Sequence, residues 1–262
     1  MNEVEYIPRP AWLEINLPNI AHNIRQIRSL LAPEKELLAV VKANAYGHGA
    51  ERIAFTALDA GADRLGVATL GEGVQLRKAG IMAPVMVLGY VAADQAQVAI
   101  KYNICQTVYS FAAAQAISLK AQEKNKTALV HIKVDTGMGR IGFLPGADSV
   151  SEVCRIMSLP NLCVEGIYTH FSTADEDNKE YTMLQKQRFD EFVAAIEAKG
   201  YHIPIKHAAN SAAIIDLPET HYDMVRAGMI MYGYYPSDAV STDKIDILPA
   251  LSLKCRVSCV KK

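Results

Sequence analysis

The chain has 262 residues, of which 50% are hydrophobic and 21% are charged, so it is long enough to bury a large core as one α/β domain or two smaller ones. Its 27 basic and 28 acidic residues nearly balance, and no basic run occurs, which argues against nucleic acid or an anionic membrane surface as a partner. No window is long and apolar enough for a transmembrane helix, and the acidic start Met1–Glu5 lacks the character of a signal peptide.

The cysteine pattern indicates a cytoplasmic protein, and the histidine spacing argues against a metal site. Five cysteines are an odd number and form no CxxC pair, which predicts reduced thiols in a cytoplasmic protein. Seven histidines are scattered along the chain without HxH or HxxxH spacing, so we expect no metal site.

Apolar patterning predicts a regular succession of strands and helices. A strand over Ala11–Leu17 leads into a helix that has Pro18 in its first turn and Asn16 as a candidate cap. The apolar run Leu37–Val41 is typical of a strand buried on both faces, as in parallel sheets. Further strands are predicted at 65–69, 85–88, 104–109, 129–134, 164–169, 203–207 and 224–226, with helices between them.

Counted from Leu37–Val41, the chain contains eight strand–helix units. Strict alternation implies a parallel sheet with right-handed crossovers, and eight units predict an α/β fold of the (β/α)8 TIM-barrel type. An open, doubly wound sheet is the main alternative. It is disfavoured because no G-x-G-x-x-G run follows the first of these strands.

The end of the chain has a different pattern. Residues 251–260 alternate apolar and polar with a period of two, which is typical of a half-buried antiparallel strand. We therefore expect residues 12–236 to form the barrel, and residues 237–262 to be a linker and the first strand of a truncated β domain. Because 11–17 and 251–260 each have an apolar face and no neighbouring partner strand, we expect them to pair with each other or with another chain.

Lys42 comes directly after the buried strand that begins the barrel. Burial disfavours the charged form of an amine, so a lysine at this place is a candidate nucleophile and Schiff-base former. The structural alternative is a lysine whose side chain extends from the barrel rim into solvent.

Other polar residues follow the remaining strands, where barrels of this type hold their working residues. The candidates are Lys42 with Tyr46, Lys133 with Asp135, His170, Asn210 with Ser211, and Arg226 with Gly228. The last two pairs follow the seventh and eighth strands, where such barrels commonly bind phosphate on backbone N–H groups. A Schiff-base lysine beside a phosphate site suggests pyridoxal phosphate as the cofactor.

Each of these residues also has a structural interpretation. Asn210 with Ser211 is a good helix cap in any protein, His170 could be a core histidine, and Arg226 could belong to a structural ion pair. The glycines of Gly137–Gly142 are expected to let their loop turn sharply and carry Arg140 inward.

Five stretches of the sequence together resemble bacterial alanine racemase. They are Ala39–Gly49 (AVVKANAYGHG), Lys133–Gly142 (KVDTGMGRIG), Thr169–Asp175 (THFSTAD), His207–Ala212 (HAANSA) and Val225–Gly233 (VRAGMIMYG). The resemblance runs from about Trp12 to the end of the chain, in order and without large gaps. It implies the N-terminal barrel of such an enzyme, with pyridoxal 5'-phosphate as cofactor and a small amino acid as substrate.

The resemblance also implies a role for each candidate residue. Lys42 would hold the cofactor as a Schiff base and act as one of two bases. Arg226 would face the pyridine nitrogen, and Arg140 would bind near the substrate carboxylate. Lys133 matches a family position that is often carbamylated, which would turn a cation into an anion able to orient Arg140. The phosphate would be held by Tyr46, Ser211, Gly228 and Met229, and the ring would be lined by His170 and Asn210.

The activity implied by the resemblance is the interconversion of L-alanine and D-alanine. Racemisation needs acid–base groups on both faces of the bound amino acid, and in the family the second base is a tyrosine from the carboxyl-terminal domain of the partner subunit in a homodimer. No tyrosine of this chain matches that motif, so we expect the chain alone to be poorly active. Alanine and serine both remain open as substrates.

Two other functions remain as alternatives. The first is a non-catalytic pyridoxal phosphate carrier, which would bind the cofactor without turning over an amino acid. The second is a fold-related amino-acid decarboxylase, which would carry an acidic partner for the pyridine nitrogen where this chain has Arg226.

Overall fold

Strands and helices alternate along the chain, as the sequence predicts. The computed structural model describes residues 9–261, and none of the helices in that range is long and apolar enough to cross a membrane. The strands are β1 (Ala11–Ile15), β2 (Glu36–Val40), β3 (Arg64–Val67), β4 (Val85–Val87), β5 (Gln106–Val108), β6 (Ala128–Lys133), β7 (Leu162–Tyr168), β8 (Ile205–His207), β9 (Met224–Ala227) and β10 (Leu251–Cys255). The longer helices are α1 (Leu17–Ser29), α2 (Ala50–Asp59), α3 (Leu70–Lys78), α4 (Ala96–Lys101), α5 (Phe111–Glu123), α6 (Ala147–Met157), α7 (Glu180–Glu197) and α8 (Ser211–Asp216). Shorter elements are a helical turn at Lys42–Tyr46 and 3-10 turns at Ala93–Gln95, Pro218–Thr220, Met229–Tyr232 and Thr242–Lys244.

The barrel is built from β2 to β9. Its strands are hydrogen-bonded in parallel in the orders β4-β3-β2-β9 and β5-β6-β7-β8. A bridge between Met86 and Cys105 joins β4 to β5, and between β8 and β9 the N–H of Asp223 donates to the carbonyl of Lys206 at 3.0 Å. The sheet therefore closes, and the predicted (β/α)8 barrel is confirmed.

Side chains of the barrel strands alternate between two apolar layers. On β2, Leu37 and Ala39 belong to the layer between strands and helices. Leu38 and Val40 belong to the small cluster inside the barrel. Burial on both faces explains why such a strand is uninterrupted apolar sequence. The interior is narrow: Gly66 on β3 lacks a side chain where a Cβ would lie 2.5 Å from Leu38 Cδ2.

Asn16 separates the first strand from the first helix. Its Oδ1 accepts a hydrogen bond from the backbone N–H of Asn19 at 3.1 Å, and Pro18 lies in the first turn, so the predicted cap is confirmed. Because Leu17 is already helical, β1 ends two residues before the predicted boundary.

The two end strands pair with each other. β10 runs antiparallel to β1, with Leu13 directly opposite Leu253, so the predicted pairing is confirmed. The second strand is shorter than predicted, because it ends at Cys255 rather than at residue 260. Leu13 and Leu253 are 52% and 74% exposed, which leaves an apolar surface on this small sheet.

Candidate active site

One cavity opens at the carboxyl ends of the barrel strands, with a volume of about 1090 Å³. Because all eight strands are parallel, residues that follow different strands converge at this end. The cavity gathers every site residue that the sequence singled out for a cofactor or substrate. Its lining includes Lys42, Tyr46, Lys133, Arg140, His170, Asn210, Ser211, Arg226, Gly228 and Met229.

Lys42 lies just beyond β2, at the start of an unusual turn. The four residues from Ala43 to Tyr46 have φ angles between +51° and +54°, so the backbone coils in the left-handed sense. Left-handed geometry costs a non-glycine residue roughly 1–2 kcal/mol, so contacts with the surroundings must hold the turn in place. Lys42 is half-buried, and its Nζ lies 5.9 Å from the centre of the Tyr46 ring.

A small cradle lies between the end of β9 and the start of α8. The backbone N–H of Gly228 donates to Ser211 Oγ at 3.2 Å. A Cβ on Gly228 would lie 3.7 Å from Ser211 Oγ and 3.8 Å from Tyr46 Oη, so the missing side chain leaves a space bordered by two hydroxyl groups. Met229 begins a 3-10 turn here, and the first N–H groups of such a turn lack partners within it. These donors suit a tetrahedral oxyanion such as phosphate.

Asn210 caps α8 and also lines the cavity. Its Oδ1 accepts a hydrogen bond from the backbone N–H of Ala213 at 3.1 Å, which caps α8. Its Nδ2 donates to the carbonyl of Phe171 at 3.4 Å, a weak contact that ties the helix to the loop after β7. The cap therefore fixes the residue that leads into Ser211.

Arg226 is a buried arginine whose partners are carbonyl oxygens and imidazoles. Its Nη2 donates to the carbonyls of Thr169 and Ala208, each at 2.8 Å, and lies 3.2 Å from His170 Nδ1. Its Nη1 lies 2.8 Å from His207 Nδ1. The structural ion pair considered for this arginine is absent from these contacts. Burial lowers the pKa of Arg226 to about 10, so the guanidinium still carries its charge at neutral pH.

Two histidines continue from Arg226 into the barrel interior. Because arginine can only donate, His207 must accept at Nδ1, and we infer that its proton is on Nε2. That nitrogen lies 2.9 Å from His131 Nδ1, which then accepts in turn, so His131 also carries its proton on Nε2. Burial, together with the charges of Arg64 and Arg226, lowers the pKa of His131 to about 3. Burial and then Arg226 lower the pKa of His207 as well, so both rings are neutral.

The candidate residues derived from the sequence did not include His131 or His207. The available signal was a polar residue inside each of two buried strands, β6 and β8. The interior makes room for the first ring because a Cβ on Gly166 would lie 2.4 Å from the His131 imidazole.

Below His131, three side chains form a compact polar cluster. Ligand-type atoms of Cys105, His131 and Glu165 all lie within 4.8 Å of one another. Two features oppose a metal there. The His131 nitrogen that faces Glu165 carries the proton in the hydrogen-bond chain above. Arg64 lies 3.6 Å from Glu165 and 2.6 Å from Glu36, so the carboxylates already have a cationic partner.

Lys133 is buried at the end of β6, and its Nζ donates to the carbonyl of Val134 at 2.7 Å. Burial, and secondly the charge of Arg226, lowers the pKa of Lys133 to about 7. A substantial fraction of this amine is therefore neutral at physiological pH, unlike that of an ordinary surface lysine.

Asp135 was grouped with Lys133 by its place in the sequence, but its carboxylate shapes the following loop. Its Oδ1 accepts hydrogen bonds from the N–H groups of Gly137, Met138 and Gly139 at 3.1, 2.8 and 3.1 Å. The loop has the G-x-G-x-x-G spacing of nucleotide-binding turns, yet it wraps around this carboxylate. Arg140 follows the turn, lines the cavity and remains exposed.

Tyr168 forms part of the cavity floor and is another residue that the sequence candidates omitted. Its ring stacks on His207 at 4.7 Å with an interplanar angle of 5°, and Arg226 lies 5.4 Å from its centre. Its hydroxyl lies 2.8 Å from Thr107 Oγ1. Burial raises the pKa of Tyr168 to about 12, so this phenol stays protonated.

Comparison with known proteins finds one family that matches most of the chain. The family described as "Alanine racemase, N-terminal domain" matches residues 15–236. Alanine racemase of Desulforamulus reducens is 49% identical over 253 residues, which cover 97% of this chain and 68% of that protein. Alanine racemase of Clostridium perfringens strain SM101 is 52% identical over 254 residues, which cover 97% and 66%. The chain thus spans about two thirds of the length of these relatives.

A solved structure shows the same likeness. Alanine racemase of Clostridium difficile 630 in complex with cycloserine is 42% identical, with a TM-score of 0.96 over 98% of this chain and 71% of that one. The agreement extends over the whole barrel and includes the strands that bear the cavity residues. The chain belongs to the alanine racemase family.

Proposed function

We propose that this chain is the cofactor-binding barrel of an enzyme that interconverts L-alanine and D-alanine. The observation that carries the proposal is the convergence, in one cavity, of a half-buried lysine, an oxyanion cradle and a buried arginine whose partners among residues 9–261 are carbonyls and imidazoles. The relatives that share most of this sequence are named alanine racemases.

Pyridoxal phosphate fits the residues of the cavity. The space that a Cβ on Gly228 would fill is bordered by hydroxyl and N–H donors, as a phosphate requires. When bound, the cofactor withdraws electrons from Cα of an amino acid and makes its α-proton acidic. Its aldehyde would attach to the amine of Lys42. The remaining contacts would come from Tyr46, Ser211, Gly228 and Met229 to the phosphate, and from His170 and Asn210 to the ring.

Lys42 would serve as the base on one face of the amino acid. An amine at Nζ accepts the α-proton and returns it to the same carbon. Its backbone is fixed from the preceding residue, because the N–H of Val41 donates to the carbonyl of Gly66 at 2.8 Å. The base on the opposite face would be the tyrosine that the family takes from the carboxyl-terminal domain of a partner subunit, which makes a homodimer the expected assembly.

Arg226 would set the reaction specificity through the pyridine nitrogen. An arginine only donates and stays charged, so it opposes a proton on that nitrogen, which a carboxylate would retain. The weaker electron withdrawal would favour return of the proton to Cα over transfer of the amino group, whereas a fold-related decarboxylase would carry an acidic partner for that nitrogen. The contacts of Arg226 with neutral acceptors therefore argue against the decarboxylase alternative.

Lys133 and Arg140 would act on the substrate side of the cavity. A lysine with a pKa of about 7 supplies the neutral amine that reacts with carbon dioxide, so carbamylation of Lys133 is chemically accessible. The product would be an anion able to orient the exposed Arg140 toward the substrate carboxylate.

We also propose that residues 12–236 form the barrel unit, with β1 at its edge, and that residues 237–262 are a linker and the first strand of a second, β-type unit, in which β10 pairs with β1.

Reduction of the cofactor-loaded protein with borohydride tests this proposal. Peptide mapping is expected to place the cofactor on Lys42, and the Lys42→Arg variant should remain unlabelled. Labelling of Lys133 in place of Lys42 would overturn the assignment. Cofactor bound at Lys42 without proton exchange at Cα of either alanine would favour the carrier alternative.

A further inference from the structure

The left-handed turn after Lys42 contains no glycine until Gly47. Four consecutive residues, Ala43 to Tyr46, have φ angles that side chains with a Cβ disfavour. The turn has internal hydrogen bonds, from the N–H of Ala45 to the carbonyl of Val41 at 2.9 Å and from that of Gly49 to Asn44 at 3.0 Å. A right-handed turn would offer similar internal bonds without the steric cost. An external contact is therefore needed to favour the observed hand.

Glu72 provides such a contact from the first turn of α3, in addition to the hydrogen bond that Asn44 Oδ1 accepts from the N–H of Ala50 at 2.9 Å. Its Oε1 accepts a hydrogen bond from the backbone N–H of Ala43 at 2.7 Å. Its Oε2 accepts from the N–H groups of Ala68 and Thr69 at 2.8 and 3.1 Å. One half-buried carboxylate thus joins the first residue of the left-handed turn to the junction between β3 and α3.

We propose that Glu72 is a positioning residue that holds the left-handed turn and, through it, the amine of Lys42 and the hydroxyl of Tyr46. Lys42 lies between two anchored residues, because Val41 donates to Gly66 and Ala43 donates to Glu72. If the Ala43 anchor were lost, the turn could relax toward the right-handed region and carry both side chains away from the cavity. The functional consequence rests on the proposed role of Lys42, whereas the anchoring itself does not.

The chemistry of the contact explains why a carboxylate is needed. Three N–H groups point at two oxygens, and an ionised carboxylate has only acceptors to offer them. A glutamine at this position would leave one end as an NH2 group facing another donor. Glu72→Gln should therefore lose part of the anchoring with almost no change in volume.

Hydrogen exchange of the cofactor-free protein tests the anchoring directly. In Glu72→Ala, exchange of the peptide spanning 43–49 should quicken by about tenfold or more relative to α7, as expected for a lost hydrogen bond to a charged group. Glu72→Gln should show a smaller increase in the same peptide. Thr69→Ala is the matched control, because it removes the other half of the capping box without touching Ala43. In Thr69→Ala, the peptide spanning 43–49 should exchange at the wild-type rate.

A second substitution separates backbone strain in the left-handed turn from general structural damage caused by Glu72→Ala. Ala43 is exposed, and a glycine there adopts positive φ without the Cβ penalty. Ala43→Gly in the Glu72→Ala background should therefore restore slow exchange, and with it the cofactor affinity and kcat of the enzyme, whereas KM should change little throughout. Unchanged exchange in Glu72→Ala would overturn the proposal, as would faster exchange that Ala43→Gly fails to reverse. Borohydride labelling of Lys42 in the wild-type protein tests the proposed function separately, because its result does not depend on the Glu72 variants.

Discussion

His207 Nδ1 lies 2.8 Å from Arg226 Nη1, so an imidazole rather than a carboxylate accepts the hydrogen bond of this buried guanidinium. The contact fixes the proton on the far side of His207 and leaves Arg226 charged beside the cavity floor, 5.4 Å from the centre of the Tyr168 ring. A carboxylate in that place would neutralise the arginine and weaken its effect on a bound pyridine ring. The hydrogen-bond chain therefore preserves the positive charge that the proposed reaction needs.

Arg226→Lys should impair the enzyme even though the charge is kept. A lysine has a single nitrogen and cannot reach two carbonyls and two imidazoles at once, so the positive group would lose its fixed direction. We expect the rate at which the cofactor-loaded chain exchanges the α-hydrogen of D-alanine to fall by roughly a hundredfold, as for the loss of a preorganised donor. NMR in deuterated buffer measures this rate, with the exposed Arg52→Lys as the control. Wild-type kinetics in Arg226→Lys would contradict the proposed role.

Ser211→Ala should weaken cofactor binding without harming the fold. The cap of α8 comes from Asn210, so the helix survives, but the cradle loses a hydroxyl and Gly228 loses its acceptor. A hydrogen bond to a charged group is worth about 1.5–3 kcal/mol, which corresponds to roughly a 10- to 100-fold rise in the Kd for pyridoxal phosphate. Fluorescence titration measures the Kd, and Ser151→Ala on α6 is the control. An unchanged Kd would place the phosphate elsewhere.

The stability of the protein should depend on pH through Lys133. Its pKa is about 7 in the folded state against 10.5 for an ordinary lysine, so the unfolded chain binds more protons between these values. Stability should therefore rise as the pH increases from about 7 to about 10. Lys133→Met removes this dependence. We expect the free energy of unfolding of this variant to exceed that of the wild type by roughly a few kcal/mol below pH 7, and the difference to vanish near pH 10.

Urea denaturation in buffer free of carbon dioxide measures this dependence, because carbamylation would remove the cation. The exposed Lys126 provides the control substitution, Lys126→Met, which should leave the pH profile unchanged. Equal pH profiles for wild type and Lys133→Met would show that the amine is not buried as described.

The β1–β10 pair should be protected from hydrogen exchange although much of it is exposed. Its backbone N–H groups bond across the two strands, whereas residues 256–261 have no regular structure. Exchange should therefore be slow at 11–15 and 251–256, since the N–H of Arg256 also donates to the carbonyl of Pro10 at 2.8 Å, and fast from residue 257 on, as measured by mass spectrometry. Rapid exchange throughout both strands would mean that they do not form a stable pair.

Much of the fold follows from the sequence because each barrel strand carries its own signal. Burial on both faces makes Leu37–Val41 uninterrupted apolar sequence, and the following glycines and polar residues mark where the strand ends. Lys42 and Arg226 could be assigned to one rim because parallel strands present their carboxyl ends together. Strand lengths were less predictable, since local patterns do not record where the hydrogen bonds stop.

The contacts that organise the cavity could not be predicted in the same way. Neither alanine nor tyrosine favours a left-handed backbone, so the turn after Lys42 depends on Glu72, which is distant in sequence. His131 and His207 meet over Gly166, from the strands β6 and β8 that lie on either side of β7. Such pairs are set by assembly of the sheet rather than by local preference.

Proton exchange at Cα tests most directly the central claim that Lys42 serves one face of the amino acid. The chain loaded with pyridoxal phosphate is incubated in deuterated buffer with each alanine enantiomer, and NMR follows loss of the α-hydrogen, with free cofactor and Lys42→Ala as controls. We predict slow exchange of D-alanine, the enantiomer that the family resemblance assigns to this lysine, and exchange of L-alanine slower by about a hundredfold or more. Equal, rapid exchange and full racemisation of both enantiomers would contradict the claim, as would D-alanine exchange no faster than with free cofactor.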